Sequence, residues 1–255
     1  MNRKSRFGGR IAGASMALVL MGGAANVMAV PVTFFGEDPT TAGNALGANS
    51  SQARSDFLSN LSGVGNEDFE SFTSGDISPL SLSFPGTGGT LGATLTGTGQ
   101  VDSGTSSNPG RFATSGVNFW EVETGSFTIN FADPISAFGF NGIDIGDFVT
   151  DQMVLSLTNF AGETSQLTVP HSLNIGNSDN ATLFFGFYDL ENTYTSIAFN
   201  NAGGGDLFAF DDMVIGDAGQ ITPDPTPVPE PSTLALLAMG LLGFGAKRRF
   251  SSKRA

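Results

Sequence analysis

Residues 125–131, GSFTINF, place Phe127, Ile129 and Phe131 on one side of an extended chain and Ser126, Thr128 and Asn130 on the other. That two-residue period belongs to a strand with one face in a core and one face polar. Similar short runs follow at 135–141 (ISAFGFN), 152–159 (QMVLSLTN), 163–169 (ETSQLTV), 181–189 (ATLFFGFYD) and 194–200 (YTSIAFN). Each is bounded by Gly, Asn, Asp or Pro, the residues that turn a chain. EDFESFT (67–73) and DLFAFDDMVIG (206–216) read as the opening and closing core strands, and VTFFGEDPT (32–40) adds a strand and a turn before them. The pattern predicts an all-β, antiparallel, jelly-roll-like sandwich. No fixed-period repeat supports a solenoid. One short N-terminal helix is expected over 50–61, where Ala53, Phe57 and Leu61 recur at i, i+4 and i+8 and Ser50 or Ser51 can cap it.

The 255 residues carry a formal charge of −13, unevenly distributed. Basic residues crowd the two ends, and only Arg54 and Arg111 lie between Glu37 and Glu230, which bound all 24 acids. That stretch therefore balances at −22 and has no Lys. It lacks the basic footprint that nucleic acid or anionic lipid requires, and it offers no amine for Schiff-base chemistry. Divalent cations, neutral sugars and cation-bridged acidic sugars remain compatible partners. Cysteine is absent, which excludes disulfides, thiolate zinc sites and cysteine nucleophiles. The single His171 cannot build a multi-histidine metal site.

Both ends read as addresses. Arg3, Lys4, Arg6 and Arg10 precede the apolar run 11–25, and Val27 and Ala29 supply small residues for cleavage. Residues 1–29 thus read as a signal peptide cut after Ala29, with an uncleaved anchor as the alternative, and imply passage through the Sec translocon. At the other end a proline-rich linker, 219–228, leads to Pro229-Glu230-Pro231, an apolar run at 234–246, and a basic tail at 247–255 that begins Lys247, Arg248, Arg249. As a helix, those 13 apolar residues would span about 20 Å, short of a hydrocarbon layer of about 30 Å. The basic stop keeps the tail cytoplasmic while the domain lies outside. Tripeptide, run and basic cluster together resemble the PEP-CTERM sorting signal of Gram-negative bacteria. The resemblance implies processing by an exosortase and export to the cell surface or beyond, commonly in bacteria that make exopolysaccharide. An ordinary C-terminal membrane anchor is the plainer alternative. The segments FFGED, ARSDFLSNL, GNEDFESF, GRFATSG, FGFNGIDIGDF, FFGFYD and FAFDDMVIGD also resemble a recurrent ectodomain of such proteins, of no known activity. This implies one domain over 30–218.

Candidate chemistry lies mainly in the acids. They cluster at Glu67, Asp68 and Glu70, at Asn141, Asp144, Asp147 and Asp151, and at Asp206, Asp211, Asp212 and Asp217. If the opening and closing strands are neighbours, Asp68, Glu70, Asp211 and Asp212 could hold a structural Ca2+, an arrangement that EDFE and FDDM share with jelly-roll carbohydrate-binding modules. The plainer reading is solvated acids and turn caps. The second cluster lacks EF-hand spacing and its closing Glu. Trp120 is a candidate sugar-stacking platform or a core residue. His171 has no recognisable nucleophile or orienting acid beside it. Paired carboxylates for glycoside hydrolysis are too easily found among 24 acids to mean anything.

These observations point to a non-enzymatic, exported, exosortase-processed surface or matrix protein associated with exopolysaccharide or biofilm. A calcium-dependent carbohydrate-binding module is the second reading, and a glycoside hydrolase a distant third. No catalytic residue is assigned.

Overall fold

The computed structural model describes residues 30–39, 41, 45–104, 110–122, 127–146, 151–173, 180–200 and 207–223. The signal peptide, the Pro229-Glu230-Pro231 tripeptide, the 234–246 run and the basic tail from Lys247 lie outside them, as do Asp147 and Asp206. Among the described residues no helix is long and apolar enough to cross a membrane.

Two antiparallel sheets face each other. The first is built from β1 (Val32–Asp38), β11 (Thr182–Tyr188), β8 (Ala137–Ile143), β13 (Phe208–Gly216), β6 (Asn118–Val122) and β5 (Gln100–Ser103), in that order, with the two-residue β2 (Asn66–Glu67) also on β13. The second runs β10 (Thr164–Thr168), β9 (Val154–Asn159), β12 (Tyr194–Asn200), β7 (Phe127–Ile135), β4 (Gly89–Gly97) and β3 (Leu80–Gly86). The expected all-β sandwich is therefore what the chain forms. The alternation of 125–131 is kept in β7, where Phe127, Ile129 and Phe131 are buried. Phe127 stacks on Phe199 at 4.1 Å between ring centroids, and Phe210 meets it edge-on at 5.1 Å. These rings form the middle of the inter-sheet core.

β8, β11 and β13 are buried along their whole lengths, so both faces are covered. The outer face carries two smaller cores. One forms under the helix α1 (Ala48–Leu58), where Ala53 and Phe57 meet Ala137, Phe184, Tyr188 and Val214. The other lies under Phe112 and Ala113, against Phe119, Ile143 and Ala209. Close approach of the helix depends on Gly139 and Gly186. A Cβ at either would come within 2.9 or 3.1 Å of the Phe57 ring.

Two expectations are corrected. The helix begins at Ala48 and ends at Leu58, two to three residues earlier than its sequence reading, and Gly47 is its N-cap. Neither Ser50 nor Ser51 caps it. The carboxylate of Asp38, at the end of β1, accepts from the N–H groups of Asn49 (3.1 Å) and Ser50 (2.8 Å) and from the Ser50 hydroxyl (2.7 Å). Burial pushes the Asp38 carboxyl up, but the Ser50 and Asn49 hydrogen bonds outweigh it and the net shift is downward. Second, 67–73 is not a core strand. It leaves β13 after Glu67, and Phe69 turns the chain with φ +58° while its ring stays buried. β3, β4 and β5 lie in a Gly-, Ser- and Thr-rich stretch to which the sequence reading assigned no element. Leu80, Leu82 and Phe84 do alternate there, and Pro85 is tolerated because β3 is an edge strand.

Candidate functional site

The acids are sorted by two buried centres and one open groove. The first centre forms where β13 bulges between Asp211 and Val214, with Asp212 held at φ +50°. Asp211 is fully buried and Asp212 nearly so. One Asp211 oxygen accepts from the N–H of Asp212 (2.7 Å), and the other from the N–H groups of Thr114 (2.6 Å) and Ser115 (3.1 Å). Asp212 accepts from Asn66 Nδ2 (2.6 Å), Ser115 Oγ (2.8 Å) and Asn141 Nδ2 (3.1 Å). Arg54 on α1 reaches over and donates to the Asp212 carbonyl at 3.0 Å.

Thr114 Oγ1 decides the protonation of this centre. It lies 2.9 Å from Asp211 Oδ2 and 2.9 Å from Asp212 Oδ2, and it accepts from Asn141 Nδ2 at 2.8 Å. A hydroxyl has one proton to donate, so it satisfies only one of the two carboxylates. A proton on one carboxyl group of the pair would complete the other contact. The same conclusion follows from electrostatics: burial and then the Asp212 charge push the Asp211 carboxyl up to about 7.

The second centre is an ion-pair triad. Arg111 Nε donates to Glu121 Oε2 at 2.8 Å, and its Nη1 lies 3.4 Å from Asp144 Oδ2, with all three side chains under one-tenth exposed. Arg54 and Arg111, the sequence's two basic residues between the acid bounds, are thus both spent inside the domain, one on each centre.

The residues expected to share calcium are not brought into one shell. Asp68 accepts from the N–H of Glu70. Glu70 accepts from the N–H groups of Val117 and Asn118, both at 2.6 Å. Asp211 and Asp212 are engaged as above. Among the described residues no three of His, Asp or Glu are placed to hold a metal ion. The opening and closing strands are nevertheless neighbours, with Glu67 opposite Met213. The second sequence cluster is divided: Asn141 belongs to the first centre, Asp144 to the triad, and Asp151 is exposed. Asp217 caps the short 3-10 turn Ala218–Gln220.

Trp120 is wholly buried, against Phe69 and Phe127, and presents no face to a ligand. A tight turn at Gly99 (φ +128°) lets the backbone pass close over the indole. His171 is also buried. Its Nε2 accepts from the N–H of Met153 (2.9 Å) and its Nδ1 faces the Ser172 carbonyl (2.8 Å), which fixes a neutral ring. Burial keeps its pKa below the ordinary value.

The groove lies where the open edges of the two sheets come together, beside β10 and the residues leading into β1. It encloses about 510 Å³ and is lined by Asn159, Glu163, Ser165, Gln166, Asn192 and Tyr194, with Val30, Pro31 and Leu167 as apolar wall. Sequence reading missed it because its residues come from three separated segments. The available signal was Phe160, a lone aromatic in the turn of the β9–β10 hairpin, and its ring is 80% exposed.

The chain has low-identity likenesses to several solved structures. A cleaved adhesin domain of Lys-gingipain is 14% identical over 60% of this chain and 97% of that one, with a TM-score of 0.40. A family 61 carbohydrate-binding module in complex with β-1,4-galactotriose is 15% identical over 58% and 92%, at 0.28. The family 11 carbohydrate-binding module of a cellulosomal cellulase of Clostridium thermocellum is 13% identical over 65% and 100%, at 0.27. No assignment rests on likenesses this distant. No curated protein matches the chain. Residues 227–249 match the PEP-CTERM protein-sorting motif. They contain the tripeptide, the apolar run and the first basic residues, so this is an exported protein whose C-terminus carries the PEP-CTERM address read by exosortase.

Proposed function

We propose that the mature protein is a non-enzymatic component of the cell surface or extracellular matrix. It crosses the membrane through the Sec translocon, is held briefly by its tail and is processed there by exosortase. It then associates with exopolysaccharide. The sorting motif at 227–249 carries this reading. The domain's charge supports it. Arg54 and Arg111 are half-buried and engaged by the two centres, and the described surface offers acids, amides and hydroxyls but no fully exposed basic residue. Such a surface repels nucleic acid and anionic lipid and suits a hydrated polysaccharide layer. The neutral, fully engaged His171 and the hydrogen-bonded acids of the buried centres support a binding role over a catalytic one. Replacing Pro229, Glu230 and Pro231 together by Ala tests the processing step. An unprocessed, membrane-held precursor is expected by mass spectrometry of envelope and medium fractions. An unchanged C-terminus and distribution would overturn it.

A further inference from the structure

We infer that the groove between the sheet edges is a binding site for a neutral polysaccharide chain, with Phe160 exposed in the turn that follows its lining residue Asn159. The inference rests on the proposed association with exopolysaccharide and locates it. The β9–β10 hairpin is built to hold Phe160 outward. Gly162 closes the turn with φ +82° and donates to the Asn159 carbonyl at 3.0 Å. Asn159 and Glu163 brace each other through Asn159 Nδ2 to Glu163 Oε2 and the Glu163 N–H to Asn159 Oδ1, both at 2.9 Å. An exposed Phe on so rigid a tip adds nothing to the core, but it offers the flat apolar surface on which a sugar ring's C–H face can lie.

The groove beside it presents hydrogen-bonding groups already fixed in place. Asn192 is held by Asp189, which accepts from the Asn192 side chain (3.0 Å), its N–H (3.0 Å) and the Tyr194 hydroxyl (2.7 Å). This leaves Asn192 Oδ1 to face outward. Gln166 is exposed on β10, and its amide has no hydrogen-bond partner among the described residues. Glu163 keeps one carboxylate oxygen open. Amides and a carboxylate, acting as donors and acceptors together, match the paired hydroxyls of a sugar. The lining has no cation, so phosphate, sulfate and uronate chains are disfavoured, and the open cleft suits an extended chain over a small enclosed ligand.

Affinity electrophoresis tests this with the processed protein in gels containing the host's own exopolysaccharide, separated by anion exchange into neutral and acidic fractions. The wild type should be retarded by the neutral fraction. Phe160→Ala and Gln166→Ala, both exposed changes, should each weaken binding by roughly three- to tenfold. Ile77→Ala should leave it unchanged, since Ile77 is exposed beside β5, the opposite edge of the first sheet. Equal retardation of all variants would overturn the groove while leaving matrix association intact. No retardation of the wild type would overturn the association itself. Binding of the acidic fraction alone, or self-association through Phe160 without glycan, would overturn the assigned ligand.

Discussion

Replacing Asp212 by Asn should make the domain more stable at alkaline pH and remove the part of its sensitivity to pH between 5 and 8.5 that the Asp212 charge causes, leaving the part due to Asp211's own burial. The folded Asp211 carboxyl sits near 7 against its ordinary 3.8, because it is buried beside Asp212. A group raised in the folded state holds its proton more tightly there. Its stabilisation is complete below pH 3.8 and is lost as pH rises through about 7. At about 1.4 kcal/mol per pH unit, the interval corresponds to about 4 kcal/mol at most. With Asn at position 212 the pair no longer needs a proton. The new amide can donate to Thr114 Oγ1, whose own proton then goes to Asp211. Asn also suits the φ of +50° at this position. Urea unfolding of both proteins at pH 5 and pH 8.5 gives the answer as a difference of differences. His171, whose lowered pKa makes stability rise with pH below its ordinary value, and buried Glu67, whose raised pKa does the reverse, then cancel. Between pH 5 and a folded value of about 7 at most about 2.7 kcal/mol is at stake, and the wild type should lose roughly 1 to 2 kcal/mol more than the variant, which keeps the burial of Asp211. Equal losses, or a variant less stable at pH 8.5, would refute the shared proton.

Two further outcomes follow from the same centres. Arg111→Ala removes the guanidinium from two buried carboxylates, Glu121 at 2.8 Å and Asp144 at 3.4 Å, and should cost about 3–5 kcal/mol by chemical denaturation. All four carboxylate oxygens of Asp211 and Asp212 already accept hydrogen bonds, so calcium would have to displace Thr114 and Ser115. Thermal unfolding in millimolar calcium and in chelator is expected to give one midpoint, and a midpoint raised several degrees by calcium would show that the ion takes their place.

The sequence by itself determined the strands, the acidity and the address. A period of two is a local property, and Phe127, Ile129 and Phe131 display it without help from distant residues. The sorting tail is equally local, because its tripeptide, apolar run and basic cluster follow one another directly in the chain. Tertiary structure decided what the acids and aromatics do. Asp211 and Asp212 look solvated in FDDM, yet a covering segment carrying Thr114 and Ser115, some hundred residues earlier, buries them and pushes the Asp211 carboxyl up. Asp38 looks like a turn residue, yet it caps a helix eleven residues on. Trp120 and Phe160 exchange the roles their residue types suggest, because β6 lies inside its sheet while the β9–β10 turn projects from an edge. Burial depends on what packs against a residue from elsewhere in the chain, and no local pattern contains that information.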